Sequence, residues 1–161
     1  QPKTYEYLET HSEWFKKRGS IIYKNRSKYC IFGIGPYSFK KYKIAIAGLY
    51  NTTLFSFVQP LEGKNVMLDD TCYLMGFDNR DVAKCFLKIL NSDIVQRFIK
   101  SLVFHDAKRS INKDLLMRID LEKAAKLLFN KSILSKKEYE LSSNYLATFR
   151  RRSSNRQLEL F

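Results

Sequence analysis

Four groupings in this sequence bring together residue types that could do chemistry. Phe32-Gly33-Ile34-Gly35 has the glycine spacing of loops that hold nucleotides or S-adenosylmethionine. Asp69 and Asp70 are adjacent, and paired carboxylates can bind a metal or serve as acid and base. Asp93, with Asp106 and Lys108 in Asp-Ala-Lys spacing, mimics a metal-dependent nuclease, in which carboxylates hold a divalent ion and a lysine positions water. His11 and His105 are the only histidines.

Each grouping has a plainer reading, decided by what must position it. A nucleotide-binding glycine loop needs a strand before it, a helix after it and an acid about 20 residues on. Here Pro36 follows, and no Asp or Glu occurs from Trp14 to Leu61. Gly33 and Gly35 therefore read as a strand–turn corner. Adjacent aspartates on a strand point to opposite faces, so one is expected in solvent and the other on a backbone amide or a cation. Asp93 falls at a helix start, where a carboxylate is an ordinary cap or dipole partner. Neither histidine has a serine or cysteine in a nucleophile-elbow setting. No catalytic residue and no metal site is expected in the chain.

The elements follow from periodicity. Residues 4–18 read as a helix with Leu8, His11 and Phe15 on one face, stopped by Gly19. Short β-branched and aromatic runs follow at 21–24, 29–34, 43–48, 53–59, 65–68 and 71–75, with a hairpin turn at 63–65. From Asp78 the pattern is helical. Asp78 or Asn79 caps a helix burying Val82, Phe86, Ile89 and Leu90. Asn91 and Ser92 break it before a second helix with Ile94, Val95, Phe98 and Leu102 inward. Asn112 caps a short turn, residues 120–129 form another helix, and Ser135 with Glu138 has capping-box spacing before a helix to about Phe149. This order predicts an α+β fold: an N-terminal helix, a central twisted mixed or antiparallel sheet, and C-terminal helices.

Composition narrows the function. The chain has 161 residues, 45% hydrophobic, so one domain with a packed core is within reach. No apolar run approaches the ~18 residues of a membrane-spanning helix. The N-terminus lacks a signal region, and the three cysteines, Cys30, Cys72 and Cys85, lack CxxC spacing, so a reducing cytoplasmic setting is expected. Lys and Arg number 29 against 16 Asp and Glu, a formal charge of +13, which points to a polyanionic partner. The excess is concentrated in the acid-free stretch from Trp14 to Leu61, where Lys16, Lys17, Arg18, Lys24, Arg26, Lys28, Lys40, Lys41 and Lys43 interleave with aromatics. Lysines and arginines bind phosphates by charge, and Tyr and Ser add hydrogen bonds. A last basic cluster, Arg150–Arg152, fits a helix C-terminus.

Three strings, residues 18–50 (RGSIIYKNRSKYCIFGIGPYSFKKYKIAIAGLY), 66–77 (VMLDDTCYLMGF) and 101–121 (SLVFHDAKRSINKDLLMRIDL), carry a family likeness through their order and spacing. Together they resemble the C-terminal target-recognition region of adenine-N6 DNA methyltransferases from type II restriction–modification systems. One departure is Ser110, where that pattern has proline. In that family a separate catalytic domain binds S-adenosylmethionine and carries an Asn-Pro-Pro-Tyr loop. No such tetrapeptide occurs here, and the chain begins at Gln1, as expected of a piece of a longer protein.

The resemblance implies a double-stranded DNA-binding domain over residues 1–121, with a helical extension and basic tail over 122–161. No cofactor is expected in this chain, with S-adenosylmethionine in the parent protein and a linked or associated methyltransferase domain as partner. The expected DNA contacts are Lys16, Lys17, Arg18, Lys24, Arg26, Lys28, Tyr37, Ser38, Lys40, Lys41, Tyr42, Lys43, Lys108 and Arg109. Among these, Arg18, Arg26, Tyr37, Ser38 and Tyr42 are candidates for base edges. The alternatives are a nuclease built on Asp93, Asp106 and Lys108, and a specificity subunit that assembles with a separate methyltransferase.

Overall fold

A computed structural model of the chain describes residues 2–31, 33–49, 52–103 and 110–153, with side chains as far as 149. The chain divides into two compact units, Gln1–Ile34 and Gly35–Phe161.

The N-terminal unit begins with α1 (Pro2–Thr10) and α2 (Ser12–Lys16). The single helix expected over 4–18 is broken at His11, whose φ of −102° and ψ of 16° leave the helical region. The His11 ring stacks on Tyr7 at 4.4 Å, and its Nδ1 lies 3.0 Å from the Tyr7 carbonyl. Leu8, His11 and Phe15 are the half-buried face. A 3-10 turn, Ile21–Tyr23, follows where a strand was expected. Ser20 starts it by accepting from the Ile22 amide at 3.4 Å. Ile21 and Ile22 stay 75% and 42% exposed, so their β-branched pattern found no neighbouring strand to pack in.

The second unit opens with a 3-10 turn at Pro36–Phe39 and continues into β1 (Tyr42–Ala47), β2 (Ser56–Val58) and β3 (Cys72–Phe77). The sheet has the order β2-β1-β3 with both pairs antiparallel. Of the six strand-like runs, three are strands. Residues 29–31 and 33–34 are irregular, with Gly33 at φ +74°. Residues 65–68 are irregular too, and Asn65 is spent on the Phe39 carbonyl at 2.8 Å. The expected hairpin is a lone bridge, Leu61 with Lys64, across Glu62 and Gly63, which have φ of 50° and 75°. Positive φ at both central residues is the hallmark of the tight turns that suit strand twist.

Register places Tyr42, Ile44 and Ile46 on one sheet face with Phe57, Tyr73, Met75 and Phe77. That face packs on α3 (Arg80–Leu90), which also touches α4 (Asp93–Leu102), α6 (Leu121–Asn130) and α7 (Lys136–Ser153). Phe86, Ile89 and Leu90 are fully buried there, each side chain stabilising by roughly 1.5–3 kcal/mol. Asn79 caps α3 by accepting from the Asp81 and Val82 amides, Ser92 caps α4, and Asp120 caps α6. Asn112 caps α5 (Lys113–Leu116). Ser135 and Glu138 form the reciprocal box ahead of α7, at 2.8 and 3.2 Å.

A buried polar pair ties the lead-in to β2 onto the helices. Thr53 donates to Gln96 Oε1 at 2.7 Å, and Gln96 Nε2 donates to the Thr53 and Leu90 carbonyls. Gln96 thereby occupies an inward position on α4, while Phe98, expected inside, is 40% exposed. Residues 121–146 belong to the same core as the sheet. The division into compact units falls at 34/35.

Candidate nucleic-acid interface

In the N-terminal unit, aromatic rings and carboxylates set the posture of most of the basic residues. Lys16 pairs with Glu13 at 2.5 Å, and Lys17 lies 5.0 Å over the Trp14 ring. Lys28 pairs with Glu9 at 3.1 Å and lies 4.9 Å over Tyr29. Tyr29, then Lys28 and Tyr5, hold the Glu9 carboxyl below its usual range. The same contacts with Tyr29 and Glu9 raise the Lys28 amine. Arg18 is wedged between the rings of Phe15 and Tyr23, at 4.2 and 4.5 Å, and donates to the Cys30 carbonyl at 2.5 Å. Lys24 and Arg26 are exposed and have no ion pair among the described residues. A cleft of about 210 Å³ opens here, with Lys16, Lys24, Arg26, Lys28, Ser20 and Ser27 among its lining.

In the second unit the expected contacts separate into surface and interior. Tyr37 is 48% exposed, and Lys41 is exposed with its amine 5.5 Å from the Tyr42 ring. Lys40 reaches Asp78 at 2.5 Å. The Tyr42 ring, proposed for a base edge, packs against the core and stacks on Phe57 at 6.1 Å.

Two of the expected contacts lie inside the fold. Ser38 is 4% exposed, and its Oγ accepts from the Gly35 amide, so it closes the 3-10 turn. Lys43 is 1% exposed, and its Nζ donates to the Lys40 carbonyl at 2.6 Å. Burial lowers the Lys43 pKa, because desolvation penalises the ammonium. Both side chains are turned to the interior, each with an internal partner.

Gly76 explains why the turn lies there. A Cβ on Gly76 would stand 2.7 Å from Lys40 Cγ and 2.9 Å from the Tyr37 carbonyl. The Pro36–Phe39 turn thus sits down on β3 through a bare backbone, on the sheet face opposite α3. Gly33-Ile34-Gly35 leads into this turn and has no helix of normal length after it. Phe32 lies outside the described residues, as do His105, Asp106, Lys108 and Arg109.

Two of the remaining acidic side chains, Asp69 and Asp93, are engaged locally. Asp69 accepts from the Thr71 amide and hydroxyl, and these bonds hold its carboxyl low. Asp93 opens α4 and pairs with Arg97 at 3.0 Å. Among the described residues no three His, Cys, Asp or Glu side chains gather as a metal site, and no helix is long and apolar enough to cross a membrane. The cleft lining also includes Ser20 and Ser27, which were not among the expected contacts although both stand within the acid-free basic run.

No family model matches this sequence, and no solved structure matches it. The chain is similar to the Type II methyltransferase M.NspV of Nostoc sp. (strain ATCC 29411 / PCC 7524), with 41% identity over 127 residues. The match covers 79% of this chain and 26% of that protein, so the chain spans about a quarter of the length of its curated relative.

Proposed function

We propose that this chain is the target-recognition part of a type II adenine-N6 DNA methyltransferase from a restriction–modification system, and that it binds double-stranded DNA. The observation that carries the reading is the 41% identity to a Type II methyltransferase over most of this chain but only 26% of the relative. The charge of +13 supports a polyanionic partner. The work assigned to the chain is to hold duplex DNA while a methyltransferase domain, linked or associated, turns an adenine out of the stack and methylates it.

The residues of this chain do not fit S-adenosylmethionine. The glycine segment leads into Pro36 and one 3-10 turn, with no acid before Glu62 to take a ribose hydroxyl. The methyl donor is therefore assigned to the parent protein's other domain. Within this chain, phosphate contact is assigned to Lys16, Lys17, Lys24, Arg26, Lys28, Lys40 and Lys41, with Lys108 and Arg109 retained from the family likeness. Tyr37 remains the exposed aromatic candidate for a base edge.

Titration of a labelled duplex at several salt concentrations tests the reading. If about five cations neutralise phosphates, log K falls against log salt with a slope of about −4 to −5. A flat salt response rejects the DNA-binding role. Cleavage on addition of a divalent metal would instead support the nuclease alternative, to which the Asp93–Arg97 pair lends nothing.

A further inference from the structure

We propose that the cleft of the N-terminal unit seats one backbone phosphodiester of the DNA, held by Lys24 and Arg26 with the Ser20 and Ser27 hydroxyls donating beside them. The proposal rests on the DNA-binding reading above and names where, in that reading, the strand is gripped.

The cations around the cleft are not equivalent. Arg18 is committed to its own unit, with both ring faces and the Cys30 carbonyl occupying its guanidinium. It is a strut that fixes the segment after Gly19, and this removes it from the base-reading set. Lys16 and Lys28 are each matched by a carboxylate, Glu13 and Glu9. Lys24 and Arg26 have no such match among the described residues, and no carboxylate lines the cleft. Two unmatched positive charges therefore face one concavity.

The polar atoms suit an anion. The Ser20 Oγ accepts from the Ile22 amide, which leaves its O–H to donate. The Ser27 hydroxyl lies in the same lining. An arginine fork and a lysine ammonium together give charge-assisted hydrogen bonds, roughly twice as strong as neutral ones. Size points the same way. At about 210 Å³ the cleft is below the ~300 Å³ at which small-molecule pockets begin, which favours a small anionic group over a whole drug-sized ligand.

The test uses the full chain and a fluorescein-labelled duplex, read by anisotropy at two or more salt concentrations. The double variant Lys24→Gln/Arg26→Gln should bind at least ten-fold more weakly at low salt, with the slope reduced by about two, near 0.9 per lost contact. The matched control Lys123→Gln/Lys126→Gln, on the exposed side of α6, should reduce the slope by less than about 0.5. Arg26→Lys should keep the slope and lose a few-fold in affinity, because the charge remains and the fork does not. If circular dichroism shows the double variant unfolded, the single Arg26→Gln replaces it, with an expected slope change of about one.

Equal losses from the test pair and the control pair overturn the seat in favour of diffuse attraction. Unchanged binding by the Lys24/Arg26 variant, with normal binding by the parent chain, overturns the seat alone. A parent chain that binds no duplex at low salt overturns the DNA-binding reading itself, and the seat with it.

Discussion

The two units of this chain are held together by different forces. Among the described residues before Gly35, not one side chain is buried, and cohesion comes from rings, cations and the Glu9 cluster. After Gly35, one apolar cluster runs from Ile44 on the sheet to Leu146 on α7. A unit without a core depends on geometry that water and salt can compete with. A unit with a core can lend its surface to other uses without risk to its fold. Lys24 and Arg26 of the first unit stand exposed without an ion pair among the described residues, while Lys43 is taken inside the second.

The sharpest test of that contrast sets two phenylalanines side by side. Phe86 is fully buried, with ring centroids of Phe77 and Tyr145 at 5.5 and 5.2 Å. Phe86→Ala should destabilise by about 3–5 kcal/mol in urea titration. Phe15 is half-buried, between Tyr29 and the Arg18 fork, and Phe15→Ala should cost less than about 1.5 kcal/mol. Equal losses would mean that the first unit has more of a core than its exposure indicates.

A smaller effect is expected at Gly76. An added methyl there meets the Tyr37 carbonyl at 2.9 Å, which is backbone and yields little. Gly76→Ala should cost about 1–3 kcal/mol and lift the Pro36–Phe39 turn from the sheet. A neutral substitution would show that the turn is loosely seated.

The box at Glu138 tests how polar contacts support the core unit. The Ser135 amide first, and then Lys88, hold the Glu138 carboxyl below its usual range. A lowered folded pKa gives stability that is complete above the unfolded value of about 4.3 and fades as pH falls through the folded one. Glu138→Ala should therefore cost about 1 kcal/mol at pH 7, and the charge-dependent part of that cost should vanish in acid. A penalty that does not change with pH would assign the whole effect to α7 propensity.

Thiol labelling gives the gentlest probe. Burial, reinforced by the Glu138 carboxylate, pushes the Cys85 thiol up to about 11, while Cys30 and Cys72 are half-buried. The thiolate is the reactive form, so at pH 8 Cys30 and Cys72 should label in the folded chain and Cys85 only in urea. Early labelling of Cys85 would show that α3 opens without global unfolding.

These elements were unequally legible in the sequence. The helix of Val82, Phe86, Ile89 and Leu90 announced itself by spacing and by Asn79, because one buried face and one cap suffice to define it. The helix-after-sheet order was readable for the same reason. Phe98 was misplaced because the inward position went to Gln96, whose three hydrogen bonds have no counterpart in apolar periodicity. Ile21 and Ile22 looked like strand, yet a strand exists only with a partner, and pairing is not written in a local run. Ser38 and Lys43 looked like surface by residue type. Their burial depends on the turn laid over Gly76, a contact between distant segments that no spacing records.

The buried amine of Lys43 also makes the chain its own clock for proteolysis. Trypsin needs an extended, accessible lysine, and Lys43 lies within β1, between two hydrogen-bonded strands. Cleavage after Lys24 or Arg26 needs only a local rearrangement of an exposed turn. Cleavage after Lys43 must wait until the sheet opens, so its rate follows the population of opened molecules when reclosing is fast. The ratio of the two peptides in one digest then reports the opening equilibrium of the sheet, with no label and no denaturant added.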